Sequence, residues 1–362
     1  MRLPVLSVAS LLLLAACADA RADAPFRQDY RATVVADGVI AFVADESPGG
    51  VVQGNITVIA GERYSVVVDS GQYPALARRI VEDVRARGLP PVKYLVNTHW
   101  HGDHLLANHV FKDAWPELVV LQHAQTARAG ARNYADWHAK AQGYGRLPDE
   151  LEAAAARGTS AKGEPLSEEQ RAGNRTHAAL LRQWLAAGGM QTRWAPPDLT
   201  FGEGIDLELG NRTVSVRHLG RANTAGDVVL WDERTRTLVT GDIVVAPTPY
   251  SFGSYHSDWI GTLARLRAMK PARIVPGHGQ VMGDDAYLQQ LAALLEETRR
   301  QVRAGLHAGR TLEQLRAGIR LPEFEARFAG TDPARIRAFR AFFLQPGIEQ
   351  AYKEARGETW LE

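Results

Sequence analysis

Between Val39 and Leu121 short apolar runs rich in β-branched residues alternate with turns. Val39–Val43, Ile56–Ile59, Ser65–Asp69, Val92–Val96 and Leu118–Leu121 read as strands. Between the third and fourth of these the period changes. From Pro74 to Arg87 the apolar residues Leu76, Ile80, Val81 and Val84 return at helical spacing, and Gly88 suits the C-terminal cap. A second series of strands is expected at Thr213–Arg217, Asp227–Trp231, Thr237–Thr240 and Arg273–Val275. Two series of strands, each with helices, predict an α/β fold of two packed sheets with helices outside them. From about Ala124 to Trp194 no β-like run occurs, and Ala, Arg, Glu and Gln dominate around Trp137, Trp184 and the Leu180-Leu181-Leu185 stripe. This is a helical insertion that either lies over a site or merely covers core surface. After His278 the chain turns helical again. Asp285 to Val302 puts Leu288, Leu291, Leu294, Leu295 and Val302 on one face, and Asp332-Pro333 suits an N-cap followed by proline at the first helical position. The expected organisation is a leader at 1–24, a main domain at 25–280 with the insertion at about 124–194, and a helical extension at 281–362.

Charge narrows the partners. Lys and Arg number 42 against 41 Asp and Glu, and no basic run reaches five residues, so the one-sided field needed for sequence-independent nucleic-acid binding is absent. A small-molecule substrate is the expected partner. The amino terminus has its own pattern: Met1-Arg2, a mostly apolar stretch from Leu3 to Ala16, then small residues. This is an export signal too short to span a bilayer, which makes the periplasm of a bacterium the expected location. The only cysteine, Cys17, closes Leu14-Ala15-Ala16-Cys17, a run that resembles a bacterial lipoprotein signal and would anchor the chain to a membrane through a lipidated cysteine. Cleavage after Ala18-Asp19-Ala20 or Ala22-Asp23-Ala24 is the alternative. Either way no internal disulfide is available.

The candidate chemistry is concentrated in Asn97-Thr98-His99-Trp100-His101-Gly102-Asp103-His104, where three imidazoles and a carboxylate fall within six positions just after an apolar strand. Such density points to metal. A turn can splay His99 and His101 toward one ion and Asp103 and His104 toward another, with zinc or another borderline metal suited to these donors.

The segment resembles the H-x-H-x-D-H signature of the metallo-β-lactamase superfamily, and further elements follow in that family's chain order. Asp69 in Val66-Val67-Val68-Asp69-Ser70-Gly71 is similar to its strand-end aspartate, and Gly220 to Asp227 to its third-histidine loop. Thr240-Gly241-Asp242 is similar to its bridging-carboxylate turn, and Pro276-Gly277-His278-Gly279 to its last-histidine loop. The resemblance implies a four-layer αββα sandwich with two metals at one sheet edge. His99, His101 and Asp242 would hold the first metal; Asp103, His104, His278 and again Asp242 would hold the second. It also implies a zinc-dependent hydrolase in which a metal-bound hydroxide cleaves an ester, thioester, lactone or amide, β-lactams included, with Asp103 as the catalytic carboxylate orienting that hydroxide. Asp69 would either fix a ligand imidazole or simply cap the turn after its strand.

One position departs from the pattern. Where G-x-x-H-T-x-G-D is usual, the chain reads Gly220-Arg221-Ala222-Asn223-Thr224-Ala225-Gly226-Asp227. Asn223 offers only a neutral oxygen, so it would be a weak or indirect ligand, and one tight and one weaker Zn2+ are expected. His218 is a candidate substitute. The same change argues against a mononuclear-iron dioxygenase, which would draw on that histidine, and keeps open a metal-holding accessory protein without turnover. Asp242 resembles the bridging carboxylate of the thioesterase and lactonase branches more than that of the many β-lactamases with cysteine there. Trp100, Tyr250, Phe252, Tyr255, His256 and Trp259 are candidates for an apolar wall, with core packing as the alternative. Arg221 is a candidate contact for an anionic substrate group. Gly220, Gly226, Gly241, Gly277 and Gly279 are expected to serve turns that let ligands converge.

Overall fold

The computed structural model describes residues 29–44, 53–141 and 143–358. The expected export signal, with Cys17 and both alternative cleavage positions, lies outside the described residues. In chain order β1 (Tyr30–Ala36), β2 (Val39–Ala44), β3 (Ile56–Ala60) and β4 (Ser65–Val68) pair antiparallel. Helix α1 (Pro74–Ala86) then crosses to β5 (Val92–Asn97), parallel to β4. Two short helices, α2 (Gly102–Leu105) and α3 (Asn108–Ala114), precede β6 (Val119–His123). The insertion supplies α4 (Ala124–Ala141), α5 (Leu147–Arg157) and α6 (Glu168–Ala186) before β7 (Leu199–Phe201), which completes a seven-stranded sheet in sequence order. The second sheet contains β8 (Gly204–Glu208), β9 (Thr213–Arg217), β10 (Val229–Asp232) and β11 (Thr237–Val245). Helix α7 (His256–Ala268) then leads to β12 (Arg273–His278), the one strand that pairs parallel there. The chain ends in α8 (Ala286–His307), α9 (Leu312–Gly318), α10 (Pro322–Ala329), α11 (Pro333–Ala338), a π-helical segment Phe339–Leu344, and α12 (Gln345–Ala355).

Strand alternation builds the layers. Val39, Ala41 and Val43 of β2 face the other sheet, in a cluster with Val214, Val216, Leu230 and Val239, while Ile40 and Phe42 face α1 and the insertion. The outer face of the second sheet, including Leu238 and Ile274, packs on Trp259 of α7, the leucines of α8 and the aromatic residues of the C-terminal segment. The result is the expected αββα sandwich with a helical insertion and C-terminal helices. A fully buried ion pair, Arg212 Nη1 to Asp232 Oδ2 at 3.2 Å, reaches by Arg212 Nη2 to the carbonyl of Asp37 in the β1–β2 turn, tying one sheet to the other. Removing one member of such a pair costs about 3–5 kcal/mol, because the other charge stays buried.

The periodicity missed β1, β7 and β8. β1 is a half-exposed edge strand, and the other two carry few β-branched residues. The strand expected at Thr237–Thr240 runs on to Val245. Asp242 therefore sits within a strand, not in a turn after it. Register shifts on both sides of Gly241 re-aim the backbone without ending the pairing with β12. No helix among the described residues is long and apolar enough to cross a membrane.

Candidate metal centre

The metal-type side chains gather where β4, β5, β11 and β12 end or bulge at one edge of the sandwich, the usual place for ligands in parallel sheets. Asp69 follows β4 with φ at 61°, a left-handed conformation uncommon for a residue with a side chain. Three hydrogen bonds hold it there: it accepts from Thr98 N at 2.7 Å, from Thr98 Oγ1 at 2.8 Å and from His104 Nδ1 at 2.8 Å. Donation by His104 Nδ1 leaves its Nε2 facing the centre. β5 ends at Asn97, and α2 begins after His101, so Asp103 and His104 lie on its first turn while His99 and His101 precede it.

Two groups of ligand atoms result: His99, His101 and Asp242, and beside them Asp103, His104 and His278. Within each group the atoms lie within 4.8 Å of one another. In the first, His99 Nε2 is 2.9 Å from His101 Nδ1, and Asp242 Oδ2 is 3.5 and 4.0 Å from those nitrogens. In the second, His104 Nε2 and His278 Nε2 are 3.2 Å apart, and Asp103 Oδ2 lies 3.4 and 3.1 Å from them. Asp242 Oδ1 also reaches these two nitrogens, at 3.2 and 3.4 Å, so the carboxylate stands between the groups. Close approach of β12 makes this fit possible. A Cβ on Gly277 would come within 2.1 Å of Asp242 Oδ1.

The electrostatics suit cations. Burial pushes the His104 and His278 imidazoles down, but the surrounding carboxylates outweigh it: His104 rises well above its usual range and His278 to about 9, with Asp242 the leading charge for both. Burial acts in the opposite sense on the carboxylates, yet the charges of His104 and His278 hold Asp103 and Asp242 far below the usual carboxylate range. His99 differs. Burial together with the His104 charge lowers it to about 4, leaving it neutral and ready to donate a lone pair. Asp103 Oδ2, Asp242 Oδ1 and Asn223 Oδ1 are buried without a hydrogen-bond partner. This donor set fits metal ions, because buried oxygens unmatched by donors are relieved by coordination.

Asn223 lies beside the first group with Nδ2 3.5 Å from Asp242 Oδ2. Its loop is shaped by Asp227, which accepts from Ala222 N, Thr224 N and Thr224 Oγ1. His218 does not replace the missing imidazole. Its Nδ1 bonds the carbonyl of Asp227 at 2.8 Å and its ring stacks on His123. Arg221 pairs with Asp258 and lies over Tyr255, away from the ligand groups. Of the aromatic candidates, Tyr255, His256 and Trp259 are buried. Trp100 instead packs edge-on against His101 at 4.5 Å, and Tyr250 against His278 at 5.5 Å. The insertion reaches the metal loop, since Gly130 of α4 is packed closely on Leu105, Trp100 and Trp194.

Two supporting amides escaped the sequence reading. Asn55 Nδ2 donates to the carbonyls of Pro276 and Gly279 at 2.9 Å each, clamping the His278 loop. Asn97 Nδ2 donates to the carbonyl of His104 at 3.0 Å, while its Oδ1 accepts from Asn108 and Gln122. A polar amide abutting an apolar strand was the available signal.

The profile of the metallo-beta-lactamase superfamily matches residues 49–278, and the chain belongs to that superfamily. The chain is also similar to the linear primary-alkylsulfatase of Pseudomonas sp. (strain ATCC 19151), 24% identical over 270 residues, 71% of this chain and 48% of that protein. It thus spans about half the length of this curated relative. Among solved structures, the metallo-beta-lactamase from Pontibacter korlensis aligns with a TM-score of 0.53 at 19% identity, covering 74% of this chain and 99% of that one. The DIM-1 metallo-beta-lactamase aligns with a TM-score of 0.50 at 16% identity, over 74% and 98%. These likenesses carry the fold.

Proposed function

We propose that the protein is an exported, zinc-dependent hydrolase acting on a small molecule through a two-ion centre. The carrying observation is the pair of adjacent ligand groups, with Asp242 directing one oxygen to each. His99, His101 and Asp242 would hold one ion, with Asn223 as a weak or indirect neighbour; Asp103, His104, His278 and Asp242 would hold the other. Ions bound there supply Lewis acidity, lowering the pKa of a water and polarising the bond to be cleaved. The chain's own contributions are positional. Asp103 remains an anion throughout the working pH range and can accept a proton-bearing contact from the attacking water at Oδ2. Asp69 holds the His104 ring in one orientation, and Asn223 donates to Asp242 and keeps that carboxylate turned. The partly buried Trp100 flanks His101 and limits water on that side.

The bond is an ester, thioester, lactone or amide. A sulfate ester is a second reading, favoured by the name of the alkylsulfatase relative. A turnover panel on zinc-reconstituted protein tests both, with a chromogenic β-lactam, a lactone, a thioester, a carboxylic ester, a phosphodiester and a linear alkyl sulfate, and Asp103→Asn as control. Turnover of one class that is lost in the control supports the reading and names the bond. Silence across the panel with two zinc ions retained would favour the accessory role.

A further inference from the structure

Beyond the ligand groups, a second feature borders the centre. Tyr250 meets His278 edge-on at 5.5 Å, and two further rings stand behind it: Phe342 at 5.5 Å, perpendicular, and Phe252 at 6.4 Å, with Phe252 and Phe342 6.0 Å apart. Phe342 comes from the π-helical segment, outside residues 49–278 that match the superfamily. The segment is fastened to the loop after β11. Ser251 N donates to the carbonyl of Phe342 at 2.9 Å, Ser251 Oγ lies 2.7 Å from His256 Nε2, and the His256 ring stacks on Phe343 at 9°. The C-terminal extension therefore backs a wall that begins at a candidate metal ligand, with Tyr250 and Phe252 half-buried and Phe342 buried behind them.

We infer that Tyr250 and Phe252, backed by the buried Phe342, form the subsite for a hydrocarbon chain of the substrate, attached to the scissile group seated at the ions. The inference rests on the hydrolase reading, since the wall matters as the continuation of that centre. Aromatic faces and edges gain by covering methylenes, and the ring faces offer little to an anionic group in that place. Phe342 acts as a positioning residue that holds the two outer rings in place, and the extension is its carrier.

The test is binding, so it does not depend on turnover. Isothermal titration of the zinc-loaded full chain with n-alkylphosphonates from two to eight carbons is expected to show affinity rising by about threefold to fourfold per added methylene until the wall is covered. In Phe342→Ala the ratio of eight-carbon to two-carbon affinity should fall about tenfold, and Phe342→Leu should restore part of it. Phe252→Ala, at a half-buried position, provides the same readout if Phe342→Ala does not fold. With zinc retained, equal affinity for short and long chains, or an unchanged ratio in the variants, overturns the subsite and leaves the hydrolase reading intact. A chain-length dependence that persists when no zinc is held would sustain the wall and remove the hydrolase reading.

Discussion

The two ligand groups sit side by side and share Asp242, yet they are built differently. The second has a full set of ionisable donors: Asp103, His104 and His278, with Asp69 fixing His104 from behind and Asn55 clamping the loop of His278. The first has His99, low in basicity through burial, the more exposed His101, and beside them the neutral amide of Asn223. Neighbouring sites on one scaffold can thus be tuned apart by a single donor, because a neutral amide oxygen is a poorer partner for a borderline ion than an imidazole nitrogen.

The contrast can be broken most severely at Asp103. Asp103→Asn keeps the shape but removes the charge from the second group, and turnover should fall on the order of 10³-fold, checked by kcat with zinc content measured in parallel. Proton competition comes next. The carboxylates around it push His278 up to about 9, and His104 is raised in the same direction, so below pH 9 an entering ion must displace a proton from His278. Zinc affinity of the second group should therefore weaken as pH falls, by about tenfold per unit for each proton displaced, or on the order of 100-fold between pH 8 and 6 for His278 alone. His99, titrating at about 4, adds no such slope in that window. Chelator competition at both pH values decides this, and a flat profile would refute it. Asp69→Asn should weaken the second zinc by about 10- to 100-fold while sparing the first step. Asn223→His should sharpen the comparison from the other side, raising first-site affinity by roughly tenfold and drawing the two titration steps together. Two equally tight steps in the parent protein would sink the asymmetry.

The sandwich was legible because its central strands are buried and β-branched, as in Val66-Val67-Val68, and α1 because its apolar residues keep a helical period up to Gly88. The edge strand β1 was not, since a half-exposed Tyr-Arg-Ala-Thr run carries little of that signal. In the centre, the dense His99–His104 segment announced itself, whereas Asn55 and Asn97 act through several hydrogen bonds that no periodicity records. Phe342 is further still from sequence logic. Its place beside Tyr250 depends on a π-helical turn and on its carbonyl accepting from Ser251, a partner far away in the chain. His218 shows the converse, a histidine near the right loop whose nitrogen the fold had already engaged.

The position of Asp242 has one more consequence. Because Oδ2 faces His99 and His101 while Oδ1 faces His104 and His278, two ions held there would share a single negative charge. Electron density drawn toward one oxygen is withdrawn from the other, so filling one site would handicap its neighbour, and thermodynamic reciprocity would require the handicap to be the same in both directions. The occupancy of such a centre would respond to the free metal over a broader range of concentration than two unlinked sites of the same strengths would.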